Sequence, residues 1–82
     1  MHISELPVGA EFVVGRVLSG REVGKRLVDM GFTEGADGKV LRKAFLSGPL
    51  HVEIRGYEVI LRRSEAAMIE VRERSKDAVP HV

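Results

Sequence analysis

The sequence predicts an all-β fold, a small barrel of about five short strands with one short helix after the first strand and a helical turn before the last. Short runs of β-branched and aromatic residues are separated by glycine and proline. One segment carries the apolar spacing of a helix. Five short strands in about seventy residues would leave long edges exposed as an open sheet, so closure into an SH3-like barrel is favoured.

The composition is that of one globular domain. The chain has 82 residues, of which 44% are hydrophobic and 30% charged, so it supports one modest core and is neither disordered nor fibrous. Thirteen basic residues nearly balance twelve acidic ones, so no overall charge favours nucleic acid or an anionic membrane. The lack of cysteine excludes disulfides and thiolate metal sites and suits the cytosol. We expect no signal peptide and no membrane-spanning segment.

The chain is predicted to begin with an entry loop and a strand. Leu6 anchors the loop of residues 3–9, which ends in a proline-containing turn. The first strand covers residues 11–18 and is rich in valine. Gly15 lies inside this strand, where glycine is typical of a bulge or a bend.

A short helix is predicted between the first two strands. Ser19 and Glu22 have the spacing of a capping box, in which each side chain bonds a backbone N–H of the first turn. Gly31 is predicted to end the helix in a left-handed conformation. The apolar face, which we expect to pack on the barrel, consists of Val23, Leu27 and Met30.

The remaining strands follow after a glycine-rich link. The second strand is predicted at 39–45, and the sequence Ser47-Gly48-Pro49 breaks it. Apolar residues alternate at 50, 52 and 54 and again at 57, 59 and 61, so a hairpin is predicted with Gly56 in its turn.

A helical turn and a short strand are predicted to complete the domain. Ser64 has the position of a cap for a turn at 65–68, and residues 69–71 form the closing strand. We therefore assign residues 1–73 to the domain. Residues 74–82 are predicted to be a flexible tail.

Three groups of residues resemble one known family. They are Leu6-Pro7-x-Gly9, then Lys25-Arg26-Leu27-x-Asp29-Met30-Gly31-Phe32-x-x-Gly35-Ala36, then Pro49-Leu50-x-Val52, Arg55-Gly56-Tyr57 and Leu61-Arg62. In this order and spacing they resemble the FeoA family, the small cytosolic component of bacterial ferrous iron uptake systems. Two positions depart from the family's pattern. Gly38 stands where a β-branched residue is common, and Phe45 where a proline often follows a stretch like Arg42-Lys43-Ala44.

The resemblance implies an accessory or regulatory protein with an SH3-like barrel, not a transport pore. The implied partner is a membrane ferrous iron permease with a GTPase domain. The implied location is the cytoplasm, at the inner face of the membrane when the partner is bound, with no direct insertion of this chain. Similar domains are fused to the C-terminus of metal-dependent repressors. The chain has no G-x-x-x-x-G-K-[ST] pattern, so we expect it not to hydrolyse GTP itself.

Two surfaces are candidates for binding the partner. The first, which we call the helix surface, consists of Arg21, Lys25, Arg26, Val28, Asp29 and Met30. The second, the loop surface, consists of Phe45, Leu46 and Pro49 and has an apolar tip with no evident role in the core. Substitution of Lys25 and Arg26 with glutamate is expected to weaken partner binding and to leave folding intact.

Metal binding and catalysis have weak candidates. The three histidines are dispersed, and only His51 and Glu53 share one face of a strand. These two residues are candidates for a weak site for a divalent ion such as Fe²⁺, and the alternative is that they form an ordinary solvated face. No other cofactor is expected. The serines have no histidine and carboxylate arrangement, so we expect no enzymatic activity.

Two alternative functions stay open. The apolar loop or an open edge of the barrel could mediate self-association into a homo-oligomer. Nucleic-acid binding is less favoured, although a basic stripe on neighbouring strands could form from Arg42, Lys43, Arg62 and Arg63. We expect Glu34, Glu58 and Glu65 to balance these charges, so no nucleic-acid partner is predicted.

Overall fold

Five antiparallel strands surround one core in the computed structural model, which describes residues 1–18 and 20–74. The strands are β1 (Glu11–Val17), β2 (Asp37–Lys43), β3 (Leu50–Ile54), β4 (Tyr57–Leu61) and β5 (Ile69–Arg74), in the order β4-β3-β2-β1-β5. Helix α1 (Glu22–Asp29) follows β1, and the helical turn α2 (Arg63–Ala66) joins the edge strands β4 and β5. The predicted set of five strands, one helix and one helical turn is confirmed.

The core lies on the inner face of the curled sheet. Leu50, Val52 and Ile54 are buried along β3, as the predicted period of two requires. Buried residues from all five strands form one cluster, which also contains Leu27 of α1 and Ala66 of α2. The predicted anchor of the entry loop is confirmed as well, because that leucine is buried after a 3₁₀ turn at Ile3–Glu5.

Two local features of the sheet are as predicted. The register of β1 against β5 shifts between Val14 and Arg16, which confirms a bulge at Gly15. The turn between β3 and β4 consists of Arg55 and Gly56, with φ of 50° and 85°. Positive φ at both central residues is the requirement of a type I′ hairpin turn, so the predicted hairpin is confirmed.

The boundaries of two strands differ from the prediction. Strand β2 begins two residues earlier than predicted, because Asp37 pairs with Val13 of β1. It also ends two residues earlier, because the Gly48 N–H donates to the carbonyl of Phe45 and closes a turn there. Strand β5 continues to Arg74, because its last residues pair with the start of β1. Apart from Arg74, the predicted tail lies outside the described residues.

Both helices begin at other residues than predicted. Arg21 takes the N-cap position of α1, and Ser19, the predicted cap, lies outside the described residues. Arg62 takes the N-cap position of α2, so Ser64 lies inside the turn and the predicted serine cap is wrong. The physical reason is the carboxylate of Glu65, whose Oε1 accepts a hydrogen bond from the Arg62 N–H at 2.8 Å.

The apolar face of α1 is rotated relative to the prediction. Gly24 and Leu27 face the core, whereas Val23 is exposed and Met30 only packs against the rim of the core. Gly31 follows the helix with φ of 116°, which confirms the predicted helix end. None of the helices within the described residues is long and apolar enough to cross a membrane.

Candidate functional site

The helix surface is narrower than predicted. Lys25, Val28 and Asp29 are exposed on α1 and lie within one helical turn of each other. Arg21 is also exposed. Met30 is half-buried against the core, so it contributes mainly to packing. The surface available to a partner therefore consists of charged residues with one valine among them.

Arg26 has a structural role that the sequence analysis missed. Its guanidinium forms an ion pair with Glu65 of α2, whose side chain is only 6% exposed. The other oxygen of this carboxylate accepts the backbone N–H of Arg62, so both oxygens are bonded. A buried carboxylate without its cation is costly, so Arg26 helps to hold α1 against α2. The double substitution of Lys25 and Arg26 would therefore also remove the cation of Glu65, so that a test of the helix surface should leave Arg26 in place.

The loop surface is a tight turn with an apolar tip. Phe45 and Leu46 are 88% and 79% exposed. The Gly48 N–H donates to the Phe45 carbonyl at 3.3 Å, and Leu46 adopts φ of 61°. A positive φ at this central position of a turn is normally supplied by glycine. Pro49 is exposed, and its carbonyl accepts the Ala44 N–H at 2.9 Å, which closes the base of the loop.

Basic side chains fix the loop to its surroundings. The guanidinium of Arg63 donates to the carbonyl oxygens of Gly48 and Ala44 at 3.2 and 3.3 Å. The Lys43 Nζ donates to the carbonyl oxygen of Leu6 at 2.9 Å. Carbonyl oxygens are neutral acceptors, so both side chains keep a net positive charge at this end of the molecule.

The predicted basic stripe is a group of four residues next to the loop, two at the end of β2 and two directly after β4. This group, which we call the basic collar, consists of Arg42, Lys43, Arg62 and Arg63. The predicted balance by three glutamates is wrong in the part of the chain that the structure describes. Glu65 binds Arg26 instead, and no ion pair joins Glu34 or Glu58 to the collar. These two glutamates lie near the other ends of β2 and β4, several residues from the collar along each strand.

The N-terminal turn beside the collar holds a carboxylate with a different partner. The Oε1 of Glu5 lies 3.0 Å from the Nδ1 of His2 and accepts the His2 backbone N–H at 3.1 Å. The side-chain bond to His2, followed by the backbone bond, lowers the pKa of Glu5 below its ordinary value.

A polar cleft of about 360 Å³ lies at the opposite end of the sheet. Its charged lining residues are Glu11, Asp37, Lys39, Glu53, Arg55 and Arg74. Lys39 pairs across strands with both Glu11 and Glu53, and Arg74 forms an ion pair of 3.4 Å with Asp37. Charges of both signs alternate in the cleft, so they neutralise one another.

The predicted metal candidates share one face of β3 but gain no further ligands. His51 and Glu53 lie on the outer face, and the His51 Nδ1 is buried without a hydrogen-bond partner. Among residues 1–18 and 20–74, no three His, Asp or Glu side chains converge as a metal site would require. Weak metal binding and the absence of enzymatic activity both stay predictions.

Sequence comparison identifies the family of the chain, and the relatives it finds include a fused protein. The pattern of the FeoA domain matches residues 1–73. The "Fe(2+) transport protein A/Fe(2+) transporter FeoB fusion protein" of Porphyromonas gingivalis is 40% identical over 78 residues. The matched region covers 95% of this chain and 9% of that protein, so the chain spans less than a tenth of that relative's length.

Solved structures with the same fold include three bacterial proteins. The solution structure of FeoA from Chlorobium tepidum has a TM-score of 0.85 and 38% identity and covers 100% of this chain and 79% of that chain. Iron(II) transport protein A from Clostridium thermocellum has a TM-score of 0.84 and 32% identity, with 89% of this chain and 45% of that chain covered. FeoA from Stenotrophomonas maltophilia, crystallised with zinc and described as a prokaryotic SH3 domain protein, has a TM-score of 0.79 and 30% identity, with 88% and 89% covered. The fold is therefore SH3-like, as predicted.

Proposed function

Because the chain belongs to the FeoA domain family, we propose that it is an accessory protein of bacterial ferrous iron uptake that binds the cytosolic part of a GTP-hydrolysing iron permease. The fused relative carries this proposal, since its name joins an iron transport protein A to a transporter FeoB in one polypeptide. A covalent link holds two units at high effective concentration and favours their contact. In an unlinked pair, a complementary surface must supply the same contact.

We assign this contact to the helix surface. Lys25, Val28 and Asp29 are exposed, and none of them packs in the core. The helix that carries them is fixed to the barrel by the buried Leu27 and by the ion pair of Arg26. A surface that is ordered before binding loses little conformational entropy when a partner docks, which supports this assignment.

Direct binding to the permease tests the proposal. The purified protein is titrated with its host's ferrous iron permease in detergent, with and without guanine nucleotide. We expect binding whose affinity changes with the nucleotide, because an accessory protein that regulates the permease must distinguish its states. Absence of binding in every nucleotide state contradicts the proposal.

Single substitutions then test the surface. Lys25→Glu and Val28→Ser are each expected to weaken binding roughly tenfold, the effect typical of a contact residue. Arg72→Glu on β5 changes the same charge at another exposed position and serves as the control. Arg26 stays unchanged in these variants, because its loss would disturb Glu65. Equal weakening by Lys25→Glu and Arg72→Glu would exclude the helix surface.

A further inference from the structure

The loop surface and the basic collar together form one end of the molecule. Phe45 and Leu46 are the most exposed of the large apolar side chains in the described residues. Neither residues 42–52 nor residues 59–64 contain an aspartate or a glutamate. This end therefore combines an apolar tip with uncompensated positive charge, although the net charge of the whole chain is only +1.

The strand register brings the collar to the base of the tip. Lys43 pairs with Leu50, and Leu50 pairs with Leu61, so the ends of β2 and β4 lie on either side of the first residue of β3, where the loop joins that strand. Arg63 follows directly and bonds to the Gly48 carbonyl within the loop. Of the carboxylates of the adjoining elements, that of Glu65 forms the ion pair with Arg26 and accepts the backbone N–H of Arg62, and that of Glu5 pairs with His2 in the N-terminal turn.

The backbone of the tip is strained at Leu46, whose side chain is exposed. Leu46 has φ of 61°, a conformation that is uncommon for a bulky residue and that glycine adopts without strain. Its side chain gains little packing in return, because it is 79% exposed. Strain that packing does not offset indicates a role in function, and an exposed leucine suits a partner of apolar chemistry.

The loop is also held in place before any partner binds. Arg63 bonds two of its carbonyl groups, and a Cβ atom on Gly48 would lie 2.5 Å from the Cβ of Ala44. The apolar tip is therefore presented on a fixed support, which lowers the entropy lost on docking.

We propose that the loop surface docks on the anionic face of a lipid bilayer, with Phe45 and Leu46 in the interfacial region and the basic collar on the lipid phosphates. Basic residues attract anionic lipid, and apolar side chains bury themselves at the boundary between headgroups and acyl chains. A nucleic acid would engage the collar but would leave Leu46 without an apolar environment. The proposal goes beyond the proposed function, since it needs no permease, and it revises the expectation of no direct membrane insertion.

Flotation with lipid vesicles tests the docking. The protein is expected to float with vesicles of phosphatidylcholine and phosphatidylglycerol but not with phosphatidylcholine alone, and added salt should weaken the binding. Leu46→Gly removes the apolar side chain at a position that suits glycine, so it should keep the fold and weaken binding roughly tenfold. Arg62→Glu in the collar should weaken it by a similar factor.

A matched control lies at the other end of the same strands. Tyr57 is 73% exposed beside the β3–β4 turn, so Tyr57→Ser should bind vesicles as the parent protein does. Thermal unfolding of each variant verifies that the fold is kept. The proposal is overturned if the parent protein does not float at low salt, or if Leu46→Gly binds as tightly as the parent.

A tryptophan reporter separates insertion from simple charge attraction. The chain has no tryptophan, so Phe45→Trp gives a single emission signal. On anionic vesicles this emission should shift to shorter wavelength and be quenched by brominated acyl chains, whereas Tyr57→Trp should show neither effect. A bound Phe45→Trp variant with unchanged emission would exclude insertion of the tip.

The permease assay in detergent distinguishes this proposal from the proposed function. Leu46→Gly should bind the permease normally, because the helix surface is intact. If it loses permease binding and the parent protein does not bind vesicles, the tip is a protein contact. The lipid proposal then fails, while the proposed function stands.

Discussion

At the scale of single residues, Gly38 shows how one position is determined by the residue opposite. Gly38 pairs with Phe12 between β2 and β1, and the Phe12 side chain is fully buried. A Cβ atom on Gly38 would lie 2.3 Å from the Cζ of Phe12 and 2.6 Å from the carbonyl oxygen of Glu53. The Phe12 ring therefore occupies the space that the β-branched residue common at this position would need.

We expect Gly38→Ala to lower the free energy of unfolding by about 2–3 kcal/mol, because neither the ring nor the backbone of β3 can move away cheaply. Urea unfolding measures the change. Gly20→Ala is the matched control, since nothing lies within 4 Å of a Cβ atom there and its φ is not positive. Equal destabilisation by the two substitutions would show that the loss of glycine itself is responsible, and not the contact with Phe12.

The pKa of Glu5 gives a prediction for a second residue. Its bonds to His2 favour the ionised carboxylate in the folded protein, so its pKa lies below the ordinary value. Since the folded pKa is the lower one, the stabilising contribution is present above the unfolded pKa and is lost as the pH falls through the folded pKa. Carboxyl chemical shifts in a pH titration should show the lowered pKa, and His2→Ala should raise it. An unchanged titration of Glu5 in His2→Ala would contradict this assignment.

At the scale of elements, the two helical segments depend on each other. Helix α1 lies between β1 and β2 in the chain, and α2 lies between β4 and β5, yet Arg26 and Glu65 join them. The same glutamate accepts the backbone N–H of Arg62, the N-cap residue of α2. A single carboxylate therefore both begins one helical turn and fixes the other helix.

Arg26→Ala should lower the free energy of unfolding by about 1–2 kcal/mol. The loss leaves the buried carboxylate of Glu65 without its cation, but Arg26 itself is 55% exposed, so solvent reduces the effect. Lys25→Ala, on the same helix and exposed, should change stability by less than about 0.5 kcal/mol. Chemical denaturation compares the two, and an equal effect would show that the ion pair contributes nothing.

The elements differ in how far the sequence predicts them. The hairpin at Gly56, the bulge at Gly15 and the alternation of β3 depend on neighbouring residues, so local patterns predict them. The ion pair of Arg26 joins residues that are far apart in the chain, and no spacing indicates it. The cap of α2 was assigned to Ser64 because serine is a common N-cap residue. The available signal was the three-residue spacing between Arg62 and Glu65, whose carboxylate bonds the Arg62 N–H.

In the loop surface, too, the sequence predicts the local features but not those that depend on distant residues. The exposed tip at residues 45 and 46 could be predicted, because large apolar residues in a turn without a core role are unusual. The net positive charge around the tip could not be predicted. The expected balance of the basic collar by glutamates assumed that residues close in the sequence are also close in space. Strand direction separates Glu58 from Arg62 to opposite ends of β4, and only the register shows this.

At the scale of the whole molecule, the strand order protects the backbone amides of some strands from hydrogen exchange more than those of others. Strands β1, β2 and β3 each have a neighbouring strand on both sides, and β4 lies at one edge of the sheet. At the other edge, the N-terminal residues bridge β5, because His2 pairs with Glu70 and the Met1 carbonyl accepts the Val71 N–H. Alternate amide groups of an edge strand point away from the sheet. The stable part of the molecule should therefore be the central strands.

Amide hydrogen exchange followed by NMR checks this expectation. Exchange should be slowest at Val40 of β2 and Val52 of β3, which are fully buried and pair with each other. It should be faster at Glu58 and Ile60, which are exposed on β4. Similar slow exchange at all four amides would show that another segment or a second copy of the chain covers the β4 edge.

The pairing of β1 with β5 also determines the order in which the molecule can assemble. Short turns join β2, β3 and β4, so these strands can meet quickly, whereas β5 must find β1 from the other end of the domain. Closing so long a loop costs chain entropy before any contact compensates it. We therefore expect the β1–β5 ladder to form last, after the folding barrier, so that Val71→Ala speeds unfolding and leaves the folding rate nearly unchanged. Stopped-flow kinetics would contradict this order if Val71→Ala slowed folding instead.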